Sequence, residues 1–221
     1  MPGLFDSFDN LDSIEISSLR SWLKNPPSKT QLENYLANKI LYPQTLPLTD
    51  EDMKKDLAIL REALKINGRV LPNKAGPFLG ENPFINVTLR KIIIPERFLS
   101  YAPNLVSLTW AFIDGLLLGR RKEDWFEDIW TVILADDADL EIGTILLPQF
   151  KGDEDSMSLD VAGKEYKIKP GSLTVVSCPN NRCQIVYKFL NGKVLGKKEN
   201  AVEINGGKLG LMIDGRDHNE V

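Results

Sequence analysis

The chain has 221 residues, 43% of them hydrophobic and 26% charged, with a formal net charge of -4 and a pI of about 5.2. That is enough apolar material for a folded core, so disorder is not expected. The acidic balance counts against a general nucleic-acid binder and against attraction to anionic membranes.

Met1 to Asn10 carries Asp6 and Asp9 and no basic residue, unlike a secretory leader. Downstream, Ser28 with Gln31 forms a capping box, followed by Leu32, Tyr35, Leu36 and Ile40 at helical spacing. A second helix is capped by Thr49 or Asp50, and Glu51 and Asp52 suit the positive end of its dipole. Met53, Leu57, Leu60 and Leu64 form its apolar stripe, and Asn67-Gly68 supplies its stop. Residues 72–83 hold three prolines and two glycines, which predicts a connector packed on the fold.

Beyond the connector the pattern turns to strands at Ile85 to Leu89 and Ile92 to Ile94. Residues 106–118 read either as a buried helix or as a hairpin turning at Asp114-Gly115, and the β-branched content favours the hairpin. This apolar run contains Asp114 and is shorter than the ~20 residues of a membrane-spanning helix. The expectation is therefore a cytoplasmic, non-membrane protein. Residues 125–134 are equally ambiguous, with strand content firm from Thr131 to Leu134. The last third predicts short strands at 159–161, 166–168, 173–176, 184–189, 202–204 and 209–213, separated by glycine, proline and asparagine turns. The expected architecture is α+β: a helical region at 1–71, a connector at 72–83, a β-rich barrel or sandwich at 84–216, and a tail at 217–221.

Candidate sites are few. The one histidine, His218, is the fourth residue from the end of the chain, so most imidazole-based catalytic and metal sites have no residue to build on. Cys178 and Cys183 flank four residues. If the strands on either side pair, the two can sit opposite each other for a disulfide; two thiols in a hairpin is the simpler expectation. Asp136, Asp137, Asp139 and Glu141 form the densest carboxylate cluster and could hold Ca²⁺ or Mg²⁺. The glycine and later glutamate of a calcium loop are missing, so a solvated turn is the expectation. Residues 136–160 carry eight acids and one base, and residues 161–200 eight bases and two acids. Such blocks can pair across a sheet or steer a partner. Trp125, Phe126 and Trp130 lie among cancelling charges, which weakens phosphate attraction and makes them candidate protein–protein anchors. Gly206-Gly207-Lys208-Leu209-Gly210 leads into a strand rather than a helix, so it is not a phosphate loop.

The ending Val202-Glu203-Ile204-Asn205-Gly206-Gly207-Lys208-Leu209-Gly210-Leu211-Met212-Ile213-Asp214-Gly215-Arg216 resembles the β-rich C-terminal module of glutamate-mutase-associated MutL-like proteins. There a Gly-Gly pair leads a strand ending in Ile-Asp-x-Arg, after a Pro-Gly-led strand like Pro170-Gly171-Ser172-Leu173-Thr174-Val175-Val176. The chain departs from that pattern at Asp217-His218, where a glycine and an arginine are expected. The family's phosphate loops have no counterpart in residues 1–130. The resemblance implies an accessory β-module and no reaction. The functional expectation is a non-enzymatic structural or adaptor subunit that binds another protein or a second copy of itself, with no cofactor, nucleic acid or membrane. The alternatives are a divalent-metal enzyme using the carboxylate cluster and a β-barrel holding a small apolar ligand.

Overall fold

The fold, a computed structural model, describes residues 5, 8, 10–79, 91–95, 98, 104–117, 129–135, 141–178, 182–194 and 196–216. It divides into two compact units, Met1–Ile85 with Arg97–Gly119, and Asn86–Glu96 with Arg120–Val221. The β-rich stretch expected at 84–216 is therefore interrupted, because Arg97–Gly119 belongs to the helical unit.

In the helical unit, α1 spans Ile16–Ser21, α2 Lys29–Leu41, α3 Asp50–Leu79 and α4 Leu105–Leu117. The capping box of α2 is present: Ser28 Oγ accepts from Gln31 N, and Gln31 Oε1 accepts from Ser28 N. For α3 the cap is Thr49, whose Oγ1 accepts from Asp52 N at 3.1 Å. Two expectations fail on α3. It does not stop at Asn67-Gly68, and it runs on to Leu79 through most of the segment expected to be a connector. Its interior face is also broader than the stripe, because Asp56, Ile59, Leu60 and Ala63 are buried while Met53, Leu57 and Leu64 are only half-buried.

The larger correction is α4. Residues 106–118 do not form a hairpin; Leu105–Leu117 is one helix. Asn104 starts it, accepting from Val106 N at 2.9 Å and Ser107 N at 3.3 Å. Gly115 is a crossing glycine rather than a turn glycine. A Cβ there would lie 2.6 Å from Leu64 Cβ and 2.8 Å from the Arg61 carbonyl, so α3 and α4 meet nearly backbone to backbone. One residue earlier, the buried carboxylate of Asp114 accepts from Arg61 Nε at 2.8 Å. Phe5, Phe8, Phe98 and Phe112 add a chain of ring contacts with centroids 5.2–6.5 Å apart.

Gly115→Ala gives a prediction with a decisive sign. Alanine's helix propensity would stabilise an exposed helical site by about 1 kcal/mol over glycine. At this crossing the added methyl is expected instead to destabilise by about 2 kcal/mol. A urea titration that finds the variant more stable would show that the helices have room there.

Among its described residues the second unit holds nine strands in two sheets. The first, mixed, sheet has β1 (Lys91–Pro95), β2 (Ile129–Ala135), β3 (Glu141–Leu146), β9 (Gly210–Asp214) and β6 (Leu173–Val176) in that order. The second, antiparallel, sheet has β5 (Lys164–Ile168), β4 (Met157–Val161), β7 (Arg182–Phe189) and β8 (Glu199–Asn205). Strand alternation builds the core. In β7, Cys183, Ile185, Tyr187 and Phe189 point inward and the residues between them face solvent. They pack with Leu146, Val176, Leu211 and Ile213 of the first sheet and Met157, Leu159 and Ile168 of the second. The sheets are not closed into a barrel, and these side chains pack between them. All six strands expected in the last third are present. The strand expected at 85–89 lies outside the described residues.

Candidate partner-binding loop

The α2–α3 connection carries the largest concentration of exposed apolar side chains among the described residues. Leu48 is 90% exposed, Leu41 69%, Leu46 57%, Tyr42 55% and Ile40 39%, all within nine residues. A cluster of exposed large apolar side chains of this kind is a candidate interaction site.

This loop is tied down from beneath. Lys39, at the end of α2, is buried, and its ammonium donates to the Thr45 carbonyl at 2.9 Å and to Asp56 Oδ2 at 2.8 Å. Tyr35 donates to the other oxygen of Asp56 at 2.8 Å. The Lys39 ammonium also lies 5.5 Å from the Tyr35 ring centroid and 5.8 Å from that of Phe5. Within the loop, the Tyr42 carbonyl accepts from Thr45 N at 3.1 Å and from Thr45 Oγ1 at 2.9 Å. Pro43 and Pro47 fix two backbone φ angles. The apolar side chains are thus presented on a pre-organised frame.

The electrostatics follow from burial. Desolvation raises the Asp56 carboxyl above the ordinary range, against the lowering effect of Lys39 and of the Tyr35 hydrogen bond. Burial likewise raises the Tyr35 phenol, reinforced by the neighbouring Asp56 charge. Tyr35, Lys39 and Asp56 are occupied with one another.

The sequence-derived candidates fare differently. Trp125, Phe126, Asp136, Asp137, Asp139 and His218 lie outside the described residues, and Trp130 is placed on β2 by its backbone alone. Glu141, on β3, accepts from Asn205 Nδ2 at 3.2 Å. Among the described residues no group of three or more His, Cys, Asp or Glu could hold a metal ion. The glycine-rich turn spends its amides within the chain: Lys208 N donates to the Glu141 carbonyl, Leu209 N to that of Ile142 and Gly210 N to that of Gly206. Gly207 has φ 55°, and a Cβ there would lie 2.6 Å from the Glu141 carbonyl. The turn is packed against β3 and does not cradle an anion. In the motif behind the family resemblance, Asp214 is fully buried and Arg216 forks onto it, Nε to Oδ1 at 3.0 Å and Nη2 to Oδ2 at 2.8 Å. Strand β4, at the end of the acidic block, pairs with β5 and β7 of the basic block, while the ion pairs of β7 run to β8, Lys188–Glu199 at 3.3 Å and Arg182–Glu203 at 4.0 Å.

Cys178 and Cys183 are both free thiols. The hairpin that would have set them opposite each other is absent, because β6 pairs with β9 while β7 pairs with β4 and β8. Cys178 nevertheless packs against the core cluster that contains Cys183. Burial, a hydrogen bond to Cys183 and the charge effect of Cys183 push the Cys178 thiol up to about 12.

The residues that sequence reasoning missed are those of the loop itself. Leu41, Leu46 and Leu48 carry no reading in the sequence analysis, and Pro43 and Pro47 beside them are the one local signal that the chain leaves regular structure there. No protein-family model, curated protein or solved structure gives a significant match to this chain. Among the described residues no helix is long and apolar enough to cross a membrane.

Proposed function

We propose that this chain is a non-enzymatic adaptor or structural subunit that binds another protein through residues 40–48. The observation that carries the reading is the exposure of Leu41, Leu46 and Leu48 on a loop whose backbone is held by a buried ammonium. A rigid apolar surface loses little conformational entropy on docking, which raises affinity for a given buried area. The resemblance of the C-terminus to an accessory β-module supports the same class of role.

The test compares the wild-type chain with a Leu41→Ser/Leu46→Ser/Leu48→Ser variant, each tagged and recovered gently from the native host. A stoichiometric partner is expected with wild type and not with the variant, whose melting temperature should stay within about 2 °C of wild type because these side chains bury little surface. A partner held equally by both proteins would move the interface elsewhere, and a lone wild-type monomer would overturn the reading.

A further inference from the structure

We propose that strand β6 is a docking edge on which a second copy of this chain adds its own β6, antiparallel, about a two-fold axis at Thr174. β6 is the last strand of the first sheet, and among the described residues no strand pairs with its other side. An open edge is a template for a further strand, and folded proteins blunt theirs with charge or proline. Among the described strands the other three edges follow that rule. β1 carries Lys91 and Pro95, β5 carries Lys164, Glu165 and Lys167, and β8 carries Glu199 and Glu203. β6 has neither device: no charged residue stands between Pro170 and Pro179, and Leu173 and Val175 are exposed.

The ladder decides which backbone groups are open. Gly215 N donates to the Ser172 carbonyl at 2.9 Å, one step beyond the Leu173–Asp214 pair. Antiparallel strands bond through alternate residues, so Thr174 and Val176 turn their N–H and C=O toward β9. Leu173 and Val175 turn theirs to the open edge. The same two residues put their side chains on one face, opposite the face from which Val176 enters the core.

This edge is complementary to itself. With Thr174 opposite its own copy, Leu173 faces Val175 of the second copy and Val175 faces Leu173. Each of those pairs then exchanges both its N–H···O=C bonds, and each sets a leucine beside a valine. Thr174 meets its copy at the central, more closely spaced pair, a favourable cross-strand combination. A two-fold axis repeats every charge that lies near it, so an uncharged strand is the kind that accepts its own copy. The contact uses residues other than the loop at 40–48 and does not rest on it.

Sedimentation equilibrium of the full-length chain over a concentration series is the test. Wild type should rise from 24.8 kDa toward twice that mass. Val175→Lys alone and Leu173→Glu alone should each stay at the monomer mass, because like charges then approach diagonally across the axis. Mixed in equal amounts they should dimerise again, since the new ammonium faces the new carboxylate in this register. Val175→Pro, which removes an N–H that β9 does not use, should also stay monomeric. All three variants should melt within about 2 °C of wild type, because the replaced side chains are exposed. Wild type at the monomer mass throughout overturns the proposal and leaves the edge to a strand of another protein. A mixture that stays monomeric overturns the register at Thr174. A dimer that survives every β6 variant and is lost in Leu41→Ser/Leu46→Ser/Leu48→Ser places the contact on the loop and overturns the proposal as well.

Discussion

Replacing Lys39 with alanine is expected to destabilise the protein by about 3–5 kcal/mol, the cost of stranding a buried charge. Asp56 would keep its place in the core, with only the Tyr35 hydroxyl against it. The Thr45 carbonyl would lose its donor as well, so residues 41–48 should become open to proteolysis under native conditions. A fall in melting temperature of about 10 °C is the readout. The triple variant Tyr35→Phe/Lys39→Met/Asp56→Leu removes all three polar groups and should recover most of the loss, because apolar replacements of a buried ion pair are often neutral. Failure of the triple variant to recover would locate the cost in the loop tether rather than in the carboxylate. The pH dependence carries a sign. Burial raises the folded-state pKa of Asp56, and Lys39 opposes that rise. Without Lys39 the folded protein therefore binds this proton more tightly than the unfolded chain does. Lys39→Ala should lose stability as pH rises from the ordinary carboxylate range through the raised folded pKa, and regain it on acidification.

The second large effect is expected at Asp155, a buried carboxylate in the β unit held by backbone amides. Its oxygens accept from the backbone amides of Lys151, Ser156 and Asn191, each at 2.8 Å, and Gly192 supplies a fourth amide. Burial alone would raise this carboxyl, but the four amides outweigh it and the net shift is downward. Asp155→Ala leaves those donors without their acceptor and should cost about 3–5 kcal/mol in a urea titration. Asp155→Asn keeps one acceptor oxygen and should fall between alanine and wild type. A depressed folded pKa contributes stability that is full above the unfolded value near 3.8 and is lost as pH falls through the folded value. The wild type should therefore lose this contribution below about pH 4, and Asp155→Ala should show a shallower acid limb. Equal acid limbs in the two proteins would rule out this role for the carboxylate.

The local grammar of the chain was legible where the cause is local. The Ser28–Gln31 box and the Thr49 cap are bonds between residues three positions apart, so spacing alone reveals them. The late strands were equally readable, because β7 alternates strictly between core and solvent and glycine turns separate its neighbours. Residues 142–147 carry no such alternation. They are buried throughout, and a continuous apolar run does not announce its period, so β3 was not foreseen.

What sequence could not reach depends on partners distant in the chain. Asp114-Gly115 reads as a turn by local preference, yet Gly115 faces Leu64 and the Arg61 carbonyl, and Asp114 meets the Arg61 guanidinium. Helix–helix approach overrode turn propensity there. Leu41, Leu46 and Leu48 have the composition of core residues, and their exposure is set by Lys39, whose ammonium is drawn inward by Asp56 and holds Thr45 in turn. Cys178 and Cys183 are near in sequence, but that they stand at different sheets is decided by β6 choosing β9 and β7 choosing β4 and β8. The amino-acid order by itself determined caps, turns and strand faces, because those energies are paid within a few residues. Tertiary structure alone decided which apolar side chains stay in water and which polar ones leave it, because burial depends on every segment that packs nearby.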